Sequence, residues 1–400
     1  MYTHDPNRQI SYLQQCLSGN KKPLGFLVGA GCPMSIQYQG NPIIPDIKGI
    51  TSAIKQSFDE DADLKGVLNK ITAQLEADGS SDPNIELILS HIRSLIVVVG
   101  NDTVRGLAAD ELKKIDKAIC EEIERIVEKN HIDENSPYHH FANWSNSIDR
   151  EHPITVFTTN YDLLLEEALE STKTPFFDGF SGSKNAFFDL QAVEEDAIPK
   201  RWVRLWKLHG SINWFRAENG NVFRSSVSPA DTDSRLIHPS HLKYDESRRM
   251  PFLVMIDRLR AFLKQPTSLL VLNGYSFGDE HLNEVIMQGL QANPSSMAFA
   301  LLYGELKNYE TAIRLASTRS NLTLIAFDSG VVGGIKASWS MSEMMGELPL
   351  SDKWLVNVPK EAEPEEIDHT ELRLGDFAVL GEFLRVLSGI NEPDSNNSDE

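Results

Sequence analysis

Six short apolar runs rich in β-branched residues constrain the fold most strongly. They are "LGFLV", "ITVF", "VRLWKL", "LLVLN", "AFALLY" and "LTLIAF", and a glycine or a polar residue follows each of them at once. Several lead into helical segments after short polar turns, which is typical of a parallel sheet covered on both faces. The sequence therefore predicts a doubly wound, Rossmann-like α/β fold.

The segment between the first two runs has a different, helical periodicity. It contains "NIELILSHIRSLIVVV" and "DELKKIDKAICEEIERIVEKN". In the second, apolar residues recur three or four positions apart, which is one face of an amphipathic helix. These residues are Leu112, Ile115, Ile119, Ile123 and Ile126. Residues from about 50 to 150 are predicted to form a helical insertion in a main domain of residues 1–335.

Two further segments interrupt or follow this pattern. Residues 171–202, with "FFDGFSGSKNAFFDL", predict a loop that either covers a pocket or simply lies on the surface. Residues 336–390 predict a C-terminal extension. It contains the acidic linker "KEAEPEEID" and an exposed short helix, "DFAVLGEFLRVL", suited to oligomer or partner contact. Residues 391–400 predict a disordered acidic tail.

Composition excludes several classes of function. The formal net charge of −20 opposes direct nucleic-acid binding. There is no apolar run long enough to span a membrane, and the first residues lack an export-signal pattern, so a cytoplasmic location is expected. Three scattered cysteines and two histidine pairs lack a matching ligand set, so no metal site is expected. These residues are Cys16, Cys32, Cys120, His139, His140, His238 and His241.

The first candidate site is the glycine turn in "GFLVGAGCPMSI". Backbone amides at Gly29, Ala30 and Gly31 can approach a phosphate because glycine leaves no side chain in the way. Met34 stands where the dinucleotide fingerprint has its third glycine. The turn therefore either binds a phosphate or uses glycine for geometry alone.

The second candidate is "TTNYD", which directly follows a predicted strand. Either Asn160 or Asp162 can cap the next helix, so capping explains only one of these polar residues. The carboxyl ends of parallel strands are where open α/β sheets bind ligands. The amide of Asn160 there can hold a ribose hydroxyl or orient a water, or the polar residues can bond locally within the turn.

Two more polar loops follow predicted strands. In "LWKLHGSINWF", His209 is a group that titrates near neutral pH at a strand end. In "LLVLNGYSFGDEHLNEVI", Gly274 and Ser276 can present a backbone turn and a hydroxyl to a ligand, and Asp279 is expected to cap the next helix. Four loops of similar polar character are thus predicted at one edge of the sheet.

In this order, "GAG", "IPD", "TTNYD", "KLHGS" and "NGYSFGDEHLNE" resemble the sirtuin-like domain, specifically its bacterial defence branch, over about residues 20–330. The resemblance implies an NAD site in which His209, Asn160 and Asp162 are catalytic. It implies NAD contacts from four places: the glycine turn, the "IPD" segment, the end of the second predicted strand and the loop after the fourth. These residues are Gly29, Ala30, Gly31, Asp46 at the nicotinamide end, Thr158, Gly274 and Ser276.

The chain departs from the family pattern in three places. Pro33 stands where the family often has serine, and Lys48 stands near the position of an arginine. The two CxxC pairs of the zinc module in protein-deacylating sirtuins are missing. The resemblance therefore implies cleavage of NAD itself in place of deacylation.

The resemblance further implies an NAD glycohydrolase that acts in anti-phage defence by depleting NAD. Activation is expected to require assembly, as a homo-oligomer or with a HerA-type hexameric ATPase. Two alternatives stay open, a non-catalytic module that senses NAD or ADP-ribose, and an NAD-dependent protein deacylase. The sequence does not distinguish linear from cyclic ADP-ribose as the product.

Overall fold

The computed structural model describes residues 2–100, 102–128, 132–227, 234–237, 250–341, 353–359 and 367–389. Its helices are α1 (Pro6–Ser18), α2 (Gly31–Met34), α3 (Ile47–Ser57), α4 (Ala62–Ala77), α5 (Ile85–Val99), α6 (Ala109–Val127), α7 (Pro137–Ser147), α8 (Leu164–Ser171), α9 (Leu190–Glu195), α10 (Phe252–Lys264), α11 (Glu280–Ala292), α12 (Glu310–Ala316) and α13 (Phe377–Leu387).

The strands form one large sheet, a smaller antiparallel sheet and several hairpins. They are β1 (Thr3–His4), β2 (Leu24–Val28), β3 (Gln37–Tyr38), β4 (Asn41–Pro42), β5 (Thr103–Val104), β6 (Leu107–Ala108), β7 (Thr155–Thr158), β8 (Phe176–Phe177), β9 (Phe180–Ser181), β10 (Ala186–Phe188), β11 (Val203–Lys207), β12 (Gly210–Arg216), β13 (Val222–Arg224), β14 (Ser234–Ile237), β15 (Leu269–Asn273), β16 (Met297–Leu301), β17 (Leu322–Ile325), β18 (Ser329–Val332), β19 (Ile335–Trp339), β20 (Leu355–Pro359) and β21 (Ile367–Leu372).

The six predicted strands are all present and lie side by side in the large sheet. Their order is β17-β16-β15-β2-β7-β11, and every neighbouring pair is parallel. Nearly every residue in them is buried, which explains why they are continuous apolar runs without alternation. The predicted α/β fold with a parallel sheet is confirmed.

Strand register brings the ends of four strands to the same level. Val28 pairs with Asn273 on one side and with Thr158 on the other, and Thr158 pairs with Lys207. The chain passes from β2 to β7 and β11 in one direction, and then returns to β15 on the other side of β2. This reversal of strand order is the position at which open α/β sheets bind ligands.

Both helices predicted in the insertion are present. "NIELILSHIRSLIVVV" forms α5, with Asn84 as its N-cap, and the second segment forms α6. The five apolar positions predicted for one face of α6 are all buried. The helices of this region share one hydrophobic core with β2 and α1, so the insertion packs directly on the sheet.

The prediction of an irregular loop over residues 171–202 is wrong. The segment contains β8, β9, β10 and α9, and β9 and β10 join β12, β13 and β14 in the antiparallel sheet. The strands are two or three residues long and pack through aromatic pairs such as Phe180 with Trp214, whose ring centroids are 5.0 Å apart. Strands this short show no detectable alternation in sequence.

The prediction that the C-terminal helix is exposed is also wrong. The apolar residues Phe377, Leu380 and Leu384 of α13 are buried. Tyr138 of α7 packs against Phe377 with ring centroids 4.9 Å apart, and Gly381 allows the α7 backbone to approach closely. The apolar face of α13 is therefore occupied within the chain, and a partner contact through its other faces stays a prediction.

Several sequence predictions fall outside the described residues. They concern the segment 360–366 of the predicted linker, the tail 391–400, and the pair His238 and His241. Among the described helices, none is long and apolar enough to cross a membrane. The three cysteines are each buried and free. The cytoplasmic location and the domain boundaries stay predictions.

Gly375, which precedes α13, tests the close packing of the C-terminal extension on the sheet. A Cβ at Gly375 would lie 1.9 Å from the carbonyl oxygen of Leu302. We expect Gly375→Ala to lower the free energy of unfolding by about 1–3 kcal/mol, the usual cost of overpacking. Urea denaturation measures this change.

Gly66 provides the matched control. It lies inside α4, and a Cβ there would meet no atom within 4 Å. Gly66→Ala should raise the free energy of unfolding by about 0.5–1 kcal/mol, because alanine favours a helix interior. Similar effects of the two substitutions would contradict the close contact at Gly375.

Candidate functional site

Two loops pack backbone against backbone where the strand order reverses. The amide of Gly29 donates to the Asn273 carbonyl at 2.9 Å, and the amide of Gly31 donates to the Gly274 carbonyl at 3.0 Å. A Cβ at Gly29 would lie 2.3 Å from the Gly274 oxygen. Gly274 has φ of +66°, a conformation that favours glycine. Packing of the two loops thus accounts for these glycines, and phosphate binding stays a prediction.

The loop after β7 is tied to the glycine loop by its polar side chains. The Thr158 hydroxyl donates to the Val28 carbonyl at 2.8 Å and accepts the Asn160 amide at 3.0 Å. The Asn160 side chain donates from Nδ2 to the Gly29 carbonyl at 3.1 Å. Asn160 therefore does not cap the next helix. Its carboxamide is held at the junction of two strand ends.

Asp162 lies one position before Leu163, the N-cap residue of α8, and its side chain bonds to the first residue of the helix. Its Oδ1 accepts the Leu164 amide at 3.1 Å. Its backbone carbonyl accepts a hydrogen bond from Lys207, which is fully buried and pairs with Glu166 at 2.8 Å. Burial raises the pKa of Asp162 to about 6, although the nearby Lys207 ammonium opposes this shift. The N-cap residue of α8 is therefore neither of the two residues that the sequence offered as caps, although the bond to the Leu164 amide accounts for the position of Asp162.

His209 lies beside a carboxylate that sequence reasoning assigned only to capping. Nε2 of His209 is 3.2 Å from Oδ2 of Asp279. Oδ1 of Asp279 accepts the Leu282 amide at 3.0 Å and so caps α11. One carboxylate therefore both begins the helix and contacts the imidazole. A carboxylate in such a position can orient the imidazole ring.

The loop that carries Asp279 is fixed by buried side chains. The Tyr275 hydroxyl donates to Oδ1 of Asn283 at 2.9 Å, and Nδ2 of Asn283 donates to the Phe277 carbonyl at 2.8 Å. Phe277 is buried with φ of +61°, which is uncommon for a residue with a side chain. Strained backbone of this kind persists where surrounding contacts enforce it, often at functional sites.

A cavity of about 280 Å³ opens between these loops and the helical insertion. We call it the small cavity. The residues that define it are Thr159, Asn160, His209, Asp279, Asn84 and Glu86. Sequence reasoning missed Asn84 and Glu86, because an asparagine cap followed by an acidic residue is ordinary at a helix start.

A second cavity of about 800 Å³, the large cavity, adjoins the small one. The two share part of their lining, including Ala30, Gly274 and Ser276. Further residues that define the large cavity are Asp46, Lys48, Tyr303, Tyr309, Gly375 and Asp376. The two cavities together form one continuous lining along the edge where the strands end.

The C-terminal extension contributes to the wall of the large cavity. Nδ2 of Asn273 donates to the Leu374 carbonyl at 3.2 Å, and this bond attaches the segment before α13 to the end of β15. Gly375 and Asp376 follow directly and line the cavity. The extension and the sheet therefore build this part of the site together, although they are far apart in sequence.

The predicted site residues occupy different positions around the two cavities. Asn160, Asp162 and His209 line the small cavity, whereas Gly31 lines the large one and Ala30, Gly274 and Ser276 line both. Gly29 and Thr158 lie behind the lining and support it. Asp46 was expected at the nicotinamide end. It lines the large cavity, and its Oδ1 accepts the Gly49 amide and caps α3. Its role in binding stays a prediction.

The described residues contain no group of three histidine, cysteine, aspartate or glutamate side chains arranged to hold a metal ion. His139 is buried, with Nδ1 2.8 Å from the Ser136 hydroxyl, and His140 contacts Asn135. Both histidines therefore have local structural partners.

Comparison with known proteins finds one family model that matches part of the chain. Residues 154–323 match the SIR2-like domain. The match includes Asn160, His209 and Asp279. A crystal structure described as a Sir2 homolog–NAD complex is 13% identical, with a TM-score of 0.34 over 75% of this chain and 85% of that chain. No curated protein matches the chain.

The raised pKa of Asp162 predicts a pH-dependent stability. A carboxyl whose folded pKa is raised from 3.8 to about 6 favours the folded state at low pH, and this contribution is lost as pH rises through about 6. The asparagine side chain introduced by Asp162→Asn keeps a capping oxygen but has no charge to bury. The free energy of unfolding of this variant, relative to the native protein, should rise by roughly 2 kcal/mol between pH 4 and pH 7.

Urea denaturation at several pH values measures this difference. Asp61→Asn is the matched control, because Asp61 caps the exposed start of α4 through the Asp63 and Leu64 amides. The control should follow the native protein across the pH range. Parallel pH dependence of Asp162→Asn and the native protein would contradict the cost of burying the Asp162 charge.

Proposed function

We propose that the chain binds NAD across the two cavities and hydrolyses the bond between nicotinamide and ribose. The observation that carries this proposal is the position of Asn160, His209 and Asp279 in a small cavity joined to a larger one. A dinucleotide has two nucleosides linked by a pyrophosphate. The small cavity suits the nicotinamide riboside and the large one suits adenosine, with the pyrophosphate at the shared loops.

The chemistry of NAD cleavage fits the polar groups of the small cavity. Nicotinamide leaves as a neutral molecule from a cationic bond, so no general acid is needed. Asn160 would hold the ribose or the water, with its orientation fixed by the bond to the Gly29 carbonyl. His209 would accept the proton of the water, directly or through a ribose hydroxyl, with Asp279 orienting its ring.

The lining of the small cavity and the absence of a zinc module from the sequence favour hydrolysis over deacylation. Helix α5 of the insertion contributes Glu86, its cap Asn84 lies beside it, and α6 contributes Val127. The insertion thus contributes part of the cavity lining, and the two CxxC pairs of the zinc module in protein-deacylating sirtuins are missing from the sequence. We assign the nicotinamide riboside and a water to this cavity of about 280 Å³, a volume near the lower end of ligand pockets.

We further propose that NAD depletion serves anti-phage defence, and that assembly with copies of the chain or with a HerA-type ATPase activates the enzyme. The support for this step is the resemblance of the sequence motifs to the bacterial defence branch. The formal net charge of −20 is consistent with DNA binding by such a partner and not by this chain.

NAD consumption with products resolved by chromatography tests the proposed reaction. The native protein should release nicotinamide and ADP-ribose, alone or with the ATPase added. Asn160→Ala and His209→Ala should each lower turnover by at least about 10²-fold, since each removes a group that acts on the reacting atoms. His152→Ala, at a site that lines neither cavity, should leave turnover unchanged.

Two outcomes would contradict hydrolysis. Binding of NAD without turnover in every condition would indicate a sensing module. Release of nicotinamide only when an acylated peptide is supplied would indicate a deacylase.

A further inference from the structure

The helical insertion brings a carboxylate into the small cavity. Glu86, near the start of α5, lines this cavity together with Asn160 and His209. We propose that Glu86 is a catalytic residue that faces the nicotinamide ribose and stabilises its positive charge during cleavage. This assignment rests on the proposed NAD hydrolysis and adds a residue to it from outside the SIR2-like match of residues 154–323.

One hydrogen bond fixes the Glu86 carboxylate, and two more fix the start of α5, which carries it. The Tyr161 hydroxyl donates to Oε1 of Glu86 at 2.9 Å. The amide of Ile85 donates to the Thr51 hydroxyl at 2.9 Å, and Asn84 accepts the Leu87 amide at 2.9 Å to cap the helix. The start of α5 is thereby held both to α3 and to the loop that carries Asn160. A carboxylate held in place needs little reorganisation during the reaction.

The hydrogen bond from Tyr161 fixes one oxygen of the Glu86 carboxylate. Burial raises the pKa of Tyr161 well above its usual value, and the negative charge of Glu86 raises it further. The phenol therefore stays protonated and donates its hydrogen bond at any physiological pH. Tyr161 adjoins Asn160 in the chain, so the bond connects the insertion to the loop that holds the ribose in the proposed function.

The reaction requires negative charge beside the ribose. The bond from C1′ to the nicotinamide nitrogen breaks, and nicotinamide leaves with the bonding electron pair. The ribose then has oxocarbenium character until a water oxygen bonds to C1′ and the proton of that water passes to His209. Carboxylates stabilise this type of transition state in glycoside hydrolysis. Glu86 would supply that charge without forming a covalent bond.

The other two carboxylates of the small cavity have different tasks. Asp162 accepts the Leu164 amide at the start of α8, and burial raises its pKa to about 6. Asp279 lies against His209 and caps α11. Their geometry thus assigns one to the helix and the other to the imidazole. Glu86, which the insertion contributes to the cavity lining, is the carboxylate assigned to the ribose.

Glu86→Gln tests this assignment, because glutamine has the same shape and can still accept the Tyr161 hydrogen bond. We expect kcat for NAD cleavage to fall by about 10²-fold or more, as for loss of other electrostatic groups that act in the transition state. Binding should change less than about threefold. The binding probe is carba-NAD, whose nicotinamide–carbocycle bond is not cleaved, measured by calorimetry.

Two further variants sharpen the test. Glu76→Gln changes an exposed glutamate of α4 that lines neither cavity, and it should leave kcat unchanged. Glu86→Asp keeps the charge on a shorter side chain and should retain more activity than Glu86→Gln. Activity that decreases from the native protein to Glu86→Asp and then to Glu86→Gln distinguishes a requirement for charge from a packing defect. Thermal unfolding of each variant checks that it is folded.

Native turnover in folded Glu86→Gln would overturn the assignment. Equal losses of kcat in Glu86→Asp and Glu86→Gln would overturn it as well, because charge would then be irrelevant. Loss of carba-NAD binding in parallel with kcat would show a ground-state role and would also overturn it. Failure of the proposed function gives a different result: the native protein binds carba-NAD but does not cleave NAD. In that case the catalytic assignment of Glu86 is wrong as well.

Discussion

The contact between the loops after β2 and β15 is the constraint on which the site depends. The amides of Gly29 and Gly31 reach the carbonyls of Asn273 and Gly274 directly, and a Cβ at Gly29 would collide with the opposite backbone. These strands lie on either side of the reversal in strand order. The distance between the two loops therefore determines how the small and large cavities meet, and the glycines keep that distance short.

Two distant segments of the chain are attached to this pair of loops, and a third is attached through the loop after β7. Asn160 bonds to the Gly29 carbonyl, and Asn273 bonds to the carbonyl of Leu374 in the C-terminal extension. The insertion is attached through the hydrogen bond from Tyr161 to Glu86. Buried hydrogen bonds of this kind are costly to break when one partner is lost. The two cavities thus require the insertion and the extension as well as the sheet.

The sequence predicted the strands and the strand-end loops because both depend on local pattern. Parallel strands buried on both faces are continuous apolar runs, and the polar residues that follow them, such as Asn160 and His209, meet at one edge. Residues 171–202 were misjudged because strands of two or three residues have no readable period. The burial of α13 and the position of Glu86 were missed for another reason. The contact between Tyr161 and Glu86 joins residues 75 positions apart, and local pattern does not specify such pairs.

The glycines and the polar groups carry different weight as evidence for function. Close packing of the two loops requires glycine at positions 29 and 274 whether or not a ligand binds. The same sequence motif therefore fits both a structural turn and a phosphate site. The pairing of His209 with Asp279 is different, since capping α11 needs only one oxygen of that carboxylate. If Asp279 acted only as the cap of α11, an apolar residue at position 209 would serve the fold equally well. The functional inference therefore rests on the imidazole–carboxylate pair and on Asn160, and the glycines determine where these groups can act.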